Sequence, residues 1–357
     1  MILSRTREVA RRYGWNFALR ALLLSLLRES SKYVDYNLFK LKRLLLKTIK
    51  ASFQEFRIEV YPAKISLKLC GEPIETELLV AAFDSGLSRD LLMYGIREPI
   101  HTITLYRIIK EAGLNTVLDI GSNIGYFPKI ELMAGAKRII AFEPVPFTYA
   151  ILRINLANHP ECAAINAAVA ERRGKTAIYV PLDEEGHPIL NMASLDKNVI
   201  RKSRVKSLLE QIVPCYRFQE VLDHHNPDAI RMDIEGYEWR LFTSLEYIPS
   251  KTHLIDFEVH SGDIRTVRKT FIFLEREGFA NATVIVNPHL PIFWIRTSAK
   301  IIGMERTIKG YNRLRLSTTG YPFINPITKV KLAYLIKNIK TFLRRTGDVQ
   351  ILLERRN

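Results

Sequence analysis

The sequence predicts an α/β fold, a mostly parallel sheet with helices on both faces. Three observations carry this. From residue 116 onward short apolar runs alternate with amphipathic segments, the pattern of repeated strand–helix units. The first run, Thr116–Ile120, breaks into Asp119-x-Gly121-x-x-x-Gly125, whose glycines allow a tight turn and a close backbone approach. The second run ends at Glu143-Pro144, with Glu143 placed 24 residues beyond Asp119. A carboxylate about 20 residues past such a loop, at the end of the next strand, is placed to accept ribose hydroxyls.

The elements follow in order. Residues 1–60 read as basic amphipathic helices, with Leu22, Leu23, Leu26 and Leu27 on one face and Leu38, Leu41, Leu45 and Ile49 on another. Residues 61–99 are mixed, with a strand at Lys64–Leu69 where Ile65, Leu67 and Leu69 alternate. Residues 100–113 suit a helix ended by Gly113. Strands are expected near 116–120, 138–143 and 162–169, and helices near 125–134 and 146–158. Lys175–Val180 and the polar stretch to Lys197 predict an inserted hairpin and loop. A helical patch and a short strand ending at Pro214 precede a helix over 217–225. Then come strand 228–233, helix 236–246, strand 252–260, helix 263–277 and strand 282–286, with a last strand at Pro291–Ile295. Residues 298–357 read as a basic appendage. There Leu332, Leu335, Ile336, Ile339, Phe342 and Leu343 recur at helical spacing among Lys331, Lys337, Lys340 and Arg344. The expected divisions are therefore 1–60, 61–297 with its core at 97–297, and 298–357.

At 357 residues the chain can hold one large domain with extensions. Its net charge of +16 is unevenly placed. Residues 1–60 carry 13 basic and 5 acidic groups, and residues 296–357 carry 14 and 3, while the centre is near neutral. Cationic ends suit anionic surfaces such as a membrane, a nucleic acid or an acidic glycan, or simply a solubilising face. Cys70, Cys162 and Cys215 are far apart with no Cys-x-x-Cys spacing, so no disulfide framework or zinc site is indicated. The longest early apolar stretch, Ala21–Leu27, is too short to span a bilayer and no small-residue cleavage site follows it. The expected setting is cytoplasmic, with peripheral membrane contact through the basic ends.

The glycine loop is neither the G-x-G-x-x-G of a dinucleotide site nor a P-loop ending in Gly-Lys-Ser/Thr. An acid leading the turn disfavours pyrophosphate and favours a cation. S-adenosylmethionine (SAM), with its sulfonium, amino group and ribose, fits. A second constellation lies at Asp233-Ile234-Glu235-Gly236-Tyr237-Glu238, after the run Ala229–Met232. In a doubly wound sheet the strand after the reversal of order brings its end to the same crevice. One strand further, Asp256, Glu258 and His260 share a face. Methyl transfer to a hydroxyl needs an aligned acceptor and a group to take its proton. Asp233, Glu235 and His260 are the candidates. No metal-ligand spacing is evident, and no metal is expected.

From Arg97 to about His260 the sequence resembles the FkbM-type SAM-dependent methyltransferases. The matching pieces are Tyr94–Pro99, Val117–Phe127 (VLDIGSNIGYF), Phe142-Glu143-Pro144, Ile165–Ala170 (INAAVA), Met192–Leu195, Ile230–Glu238 (IRMDIEGYE) and Phe257–His260. The resemblance implies a Rossmann-like class I methyltransferase sheet of seven strands, the last antiparallel. It implies SAM as methyl donor, and a hydroxyl acceptor on a sugar or glycan, a lipid-linked molecule or a secondary metabolite. By motif, Asp119, Gly121 and Gly125 would hold the methionine end, Glu143 the ribose, and Asn166 and Ala168 the adenine edge, with Ser122 and Asn123 also among the cofactor-binding residues. Asp233 and Glu235 would face the acceptor. The rival readings are an RNA ribose methyltransferase, suggested by the charge, and a non-catalytic nucleoside-binding module that engages a membrane or partner through its basic helices.

Overall fold

The computed structural model describes residues 60–69, 72–81, 86–182, 186, 188–202, 207–259, 263–286, 328–339 and 349–356, with residues 7, 10, 11 and 15. The expected N-terminal helices, the strand at Pro291–Ile295, and the residues His260, Lys340, Phe342, Leu343 and Arg344 lie outside the described residues. The chain divides into two compact units, residues 1–99 with 288–311 and residues 100–287 with 312–357.

In the first unit, β1 (Val60–Leu69) and β2 (Glu72–Ala81) form an antiparallel hairpin paired from Val60↔Ala81 to Leu69↔Glu72. Tyr61, Ala63, Ile65 and Leu69 are buried from β1, and Ile74, Leu78 and Val80 from β2. This is the period-2 burial expected of strands with one covered face. Helix α1 (Leu87–Tyr94) stops at Gly95, whose φ of 64° no β-carbon obstructs and whose N–H reaches the Leu91 carbonyl at 2.8 Å.

The second unit begins at Ile100, within helix α2 (Pro99–Ala112), which is followed by Gly113 at φ 62°. Its order then runs β3 (Thr116–Ile120), α3 (Tyr126–Met133), β4 (Arg138–Phe142), α4 (Pro146–Asn155) and β5 (Cys162–Ile165). Next come β6 (Ala168–Ala170), β7 (Gly174–Leu182), α5 (Lys197–Lys202), β8 (Ser207–Arg217) and α6 (Phe218–His225). Then follow β9 (Ala229–Met232), α7 (Glu238–Thr243), β10 (Leu254–Val259), α8 (Ile264–Arg276) and β11 (Phe279–Val286). The unit closes with β12 (Thr328–Lys331), α9 (Leu332–Lys337) and β13 (Val349–Arg355).

The main sheet has the order β12-β11-β13-β10-β9-β3-β4-β5. Strands β5, β4, β3, β9 and β10 run parallel, and β13 lies antiparallel to both β10 and β11. The chain moves outward from β3 to β4 and β5, then returns to β9 on the other flank. The order therefore reverses between β3 and β9, and the loops after these strands open into one crevice. This is a Rossmann-like α/β sheet.

Three expectations change. The sheet holds eight strands rather than seven, because β12 adds an antiparallel edge beside β11. The antiparallel strand is Val349–Arg355, so the C-terminal segment completes the sheet instead of standing apart from it. The single strand expected over 162–169 splits at Asn166-Ala167. Its second part, β6, pairs with β8 in a separate three-stranded sheet, β6-β8-β7. The basic amphipathic helix α9 docks on its own unit, with Leu332 and Leu335 wholly buried in the core.

One face of the main sheet is apolar across its centre. Leu118, Ile120, Ile230, Met232, Ile255 and Phe257 meet Phe218 of α6, Trp239 and Phe242 of α7, and Phe271 of α8. Phe257 is the hub, with edge-on rings of Phe242 at 5.2 Å and Trp239 at 5.8 Å. The opposite face carries charge. Asp119, Arg231 and Asp256 stand in register on β3, β9 and β10, and all three are buried. Among the described residues no helix is long and apolar enough to cross a membrane. No group of three or more His, Cys, Asp and Glu among them is arranged to hold a metal.

Candidate active site

The loop after β3 is built on backbone contacts to the neighbouring strand. The N–H groups of Gly121 and Ser122 both donate to the Phe142 carbonyl, at 2.9 and 3.0 Å. Gly121 (φ 85°) and Gly125 (φ 92°) take left-handed conformations, and so does Asn123 at φ 50°. A β-carbon on Gly121 would stand 2.0 Å from the carbonyl oxygen of Asp233. The glycine therefore lets the loop after β9 lie directly on the loop after β3. Gly125 leads into α3, and a β-carbon there would stand 2.9 Å from Leu152 Cδ1.

Glu143 sits at the end of β4, as the spacing predicts. It is nearly enclosed, and its Oε2 accepts the Asn123 N–H while Oε1 accepts the Val145 N–H, each at 2.9 Å. The carboxylate thus ties its own strand end to the glycine loop. Burial pushes its pKa up to about 7, against the lowering effect of those two N–H groups. Each carboxylate oxygen can accept a second hydrogen bond. Asn166 is half-buried and donates to the carbonyls of Glu143 and Pro144, at 2.9 and 3.1 Å. Ser122 is buried with its hydroxyl on the Asp119 carbonyl, and Ala168 begins β6 rather than extending the main sheet.

The sequence predicts a cationic ligand beside Asp119; in the structure its partner is the protein's own Arg231. Its Oδ1 accepts from Arg231 Nη1 at 3.1 Å, and neither side chain reaches solvent appreciably. Burial raises the Asp119 carboxyl above its ordinary value, and Arg231 opposes that rise. Glu131 of α3 lies beside this pair. Burial, with the charge of Asp119 adding to it, pushes the Glu131 carboxyl well above the usual carboxylate range. On the far side, Asp256 pairs with His101 Nε2 at 2.7 Å and accepts from Gln350 at 2.9 Å.

The loop after β9 presents Asp233 and Glu235. Asp233 is a quarter exposed and accepts from Arg231 Nη2 at 3.0 Å. Glu235 has a φ of 55°, in the left-handed region, followed by Gly236 at φ 95°. A non-glycine residue there costs on the order of 1–3 kcal/mol and persists only where its surroundings enforce it. The enforcing group is Glu238, fully buried, whose Oε1 accepts the N–H groups of Ile234 and Gly236 at 3.1 and 3.3 Å. Val199 of α5 closes on Gly236, 2.9 Å from where a β-carbon would stand. Tyr237 donates a short hydrogen bond to Glu171, at the end of β6. The inserted segment therefore walls this loop. His260 lies outside the described residues, and Glu258 is half-buried on β10.

The structure thus brings together Gly121, Asn123, Glu143 and Asp233 around one crevice. Arg231, Glu238 and Glu171 went unassigned from sequence. A visible signal for Arg231 was its position inside the apolar strand Ala229–Met232, where a charge must be paired.

A family comparison decides the class. Residues 119–283 match the methyltransferase FkbM domain. This segment is an FkbM methyltransferase domain. No curated protein matches the chain. Among solved structures, a SAM-dependent methyltransferase from Agrobacterium tumefaciens is 12% identical, with 82% of this chain and 71% of that one covered, at TM-score 0.37. The plantazolicin methyltransferase BpumL, crystallised with S-adenosylhomocysteine, is 9% identical over 73% and 83%, at TM-score 0.26. A Haemonchus contortus phosphoethanolamine N-methyltransferase, also with S-adenosylhomocysteine, is 10% identical over 88% and 74%, at TM-score 0.27. The strand order, not these likenesses, carries the fold.

SAM is the methyl donor of an FkbM domain, and the crevice suits it. The enclosed Glu143 carboxylate can accept one further hydrogen bond on each oxygen, the capacity that a ribose diol would need.

Proposed function

We propose that this FkbM domain is a SAM-dependent O-methyltransferase. Its acceptor is a hydroxyl on a sugar or glycan, a lipid-linked molecule or a secondary metabolite. One observation carries the reading. The backbone carbonyl of Asp233 packs on Gly121, so the β9 loop that carries Asp233 and Glu235 lies against the glycine loop. Bound SAM supplies a methyl group on a positively charged sulfur, open to in-line displacement.

The chain's own residues do the rest. Glu143 accepts the ribose hydroxyls, and the loop from Gly121 to Gly125 shapes the methionine end. Asn166 borders the adenine edge with Ala168. Asp233 orients the acceptor hydroxyl and takes its proton as the oxygen attacks. Glu235, held in its unusual backbone conformation, lines the acceptor side. Proton removal by a placed carboxylate contributes about 10²–10⁴-fold.

The test uses methyl-labelled SAM with carbohydrate, lipid and RNA fractions of a cell extract. Label in the carbohydrate or lipid fraction supports the reading, and label in RNA overturns it. Asp233→Asn should bind SAM and lose at least about 100-fold in transfer. Full transfer by that variant removes Asp233 as the base.

A further inference from the structure

We propose that Arg231 is a positioning residue of the methyl-transfer site, whose single buried guanidinium locks the acceptor-side carboxylate of Asp233 to the strand that carries the cofactor loop. The inference rests on the reading of Asp233 given above.

The geometry is explicit. Arg231 stands on β9 directly across from Asp119 of β3 on one side and Asp256 of β10 on the other. Its Nη1 donates to Asp119 at 3.1 Å and its Nη2 to Asp233 at 3.0 Å. The guanidinium carbon lies over the Phe127 ring of α3, 3.8 Å from its centroid. Only 3% of the side chain is exposed. The planar fork is thus held by a ring on one face and by carboxylates at two of its nitrogens, a geometry lysine cannot copy.

Every charge around it points the same way. Burial disfavours the charged guanidinium, but Asp119, Asp233, Asp256 and Glu131 outweigh that and hold it protonated. Asp256 has His101 and Gln350 as partners, and Glu131 is pushed toward its neutral form. Glu143 faces Asp233 from β4 with a like charge. Asp119 therefore acts as the fixed anchor, Arg231 as the strut, and Asp233 as the group that is aimed. A charge-assisted bond of this kind fixes a rotamer as well as a charge state.

The test uses the full chain. Arg231→Met is combined with Asp119→Asn, so that no buried charge is left without a partner. Arg231→Lys keeps the cation but cannot span two carboxylates. With aspartate carboxyl carbons labelled by ¹³C, the Asp233 resonance is assigned by its loss in Asp233→Asn and followed against pH, while melting curves confirm the fold. In the paired variant the Asp233 titration should move up by at least about one pH unit. Arg231→Lys should move it less, in the same direction. A folded variant of either kind with an unmoved Asp233 titration overturns the proposal. If the paired variant does not fold, Arg231→Lys alone decides. Asp233→Asn separates the two readings. Full transfer by it removes the base role of Asp233, whereas lost transfer with an unmoved titration removes only Arg231.

Discussion

Glu143 accepts two backbone N–H groups inside a nearly closed pocket and titrates at about 7, because burial penalises its charge. Its folded value lies above the ordinary 4.5, so the folded protein holds that proton more tightly than the unfolded chain. Without cofactor, stability should therefore fall as pH rises from about 4.5 to about 7, by up to about 3 kcal/mol. Urea melts across that window should show the slope, and Glu143→Gln should flatten it. Ribose hydroxyls need the ionised carboxylate as acceptor, so SAM affinity should weaken below about pH 7. Calorimetry would show the same loss absent in the glutamine variant. Two glycines make a second residue-scale contrast. Gly121→Ala places a β-carbon 2.0 Å from a backbone carbonyl, whereas Gly135→Ala, at φ 105°, meets nothing within 4 Å. Thermal melts should show a loss of about 1–2 kcal/mol for Gly135→Ala from its backbone alone, and clearly more for Gly121→Ala.

At the scale of elements, caps and strand faces set the architecture. Helix α8 begins at Asp263, whose carboxylate accepts the Thr266 N–H at 3.1 Å. Asp263→Ala should cost about 1 kcal/mol in a denaturant melt and leave SAM binding unchanged. Elements of this kind were legible in the sequence. The strands β3, β4 and β9 are short, mostly apolar runs followed by Gly121, Glu143 and Asp233, and the helices after β3 and β4 keep a 3.6-residue rhythm. Strand β13 was not legible. Val349 to Leu353 are all buried, so the run shows no alternation that would mark it as a strand. Neighbouring strands are usually close in sequence, whereas β13 lies far beyond β10 and β11 in the chain. The break at Asn166 was hidden for a different reason. The Asn166 side chain bonds the Glu143 and Pro144 carbonyls, a tertiary contact that no local pattern announces.

For the whole molecule, the site was legible in its parts but not in its wiring. The motif glycines, Glu143 and Asp233 sit where the reversal of strand order predicts. The buried row of Asp119, Arg231 and Asp256 depends on the register of three strands, and sequence alone does not give register. The same sheet predicts an outcome for truncation. Removing residues 349–357 takes away a strand that pairs with both β10 and β11 and takes Gln350 from Asp256. The shortened chain should be insoluble or lack cooperative melting by circular dichroism, and a soluble, cooperatively folding product would contradict this sheet order. The order also has a consequence for synthesis on the ribosome. The strand that separates β10 from β11 emerges more than sixty residues after β11 ends, on the order of several seconds later. Through that interval both neighbours stand with open edges facing a gap, and a nascent chain needs shielding there against pairing with the wrong strand.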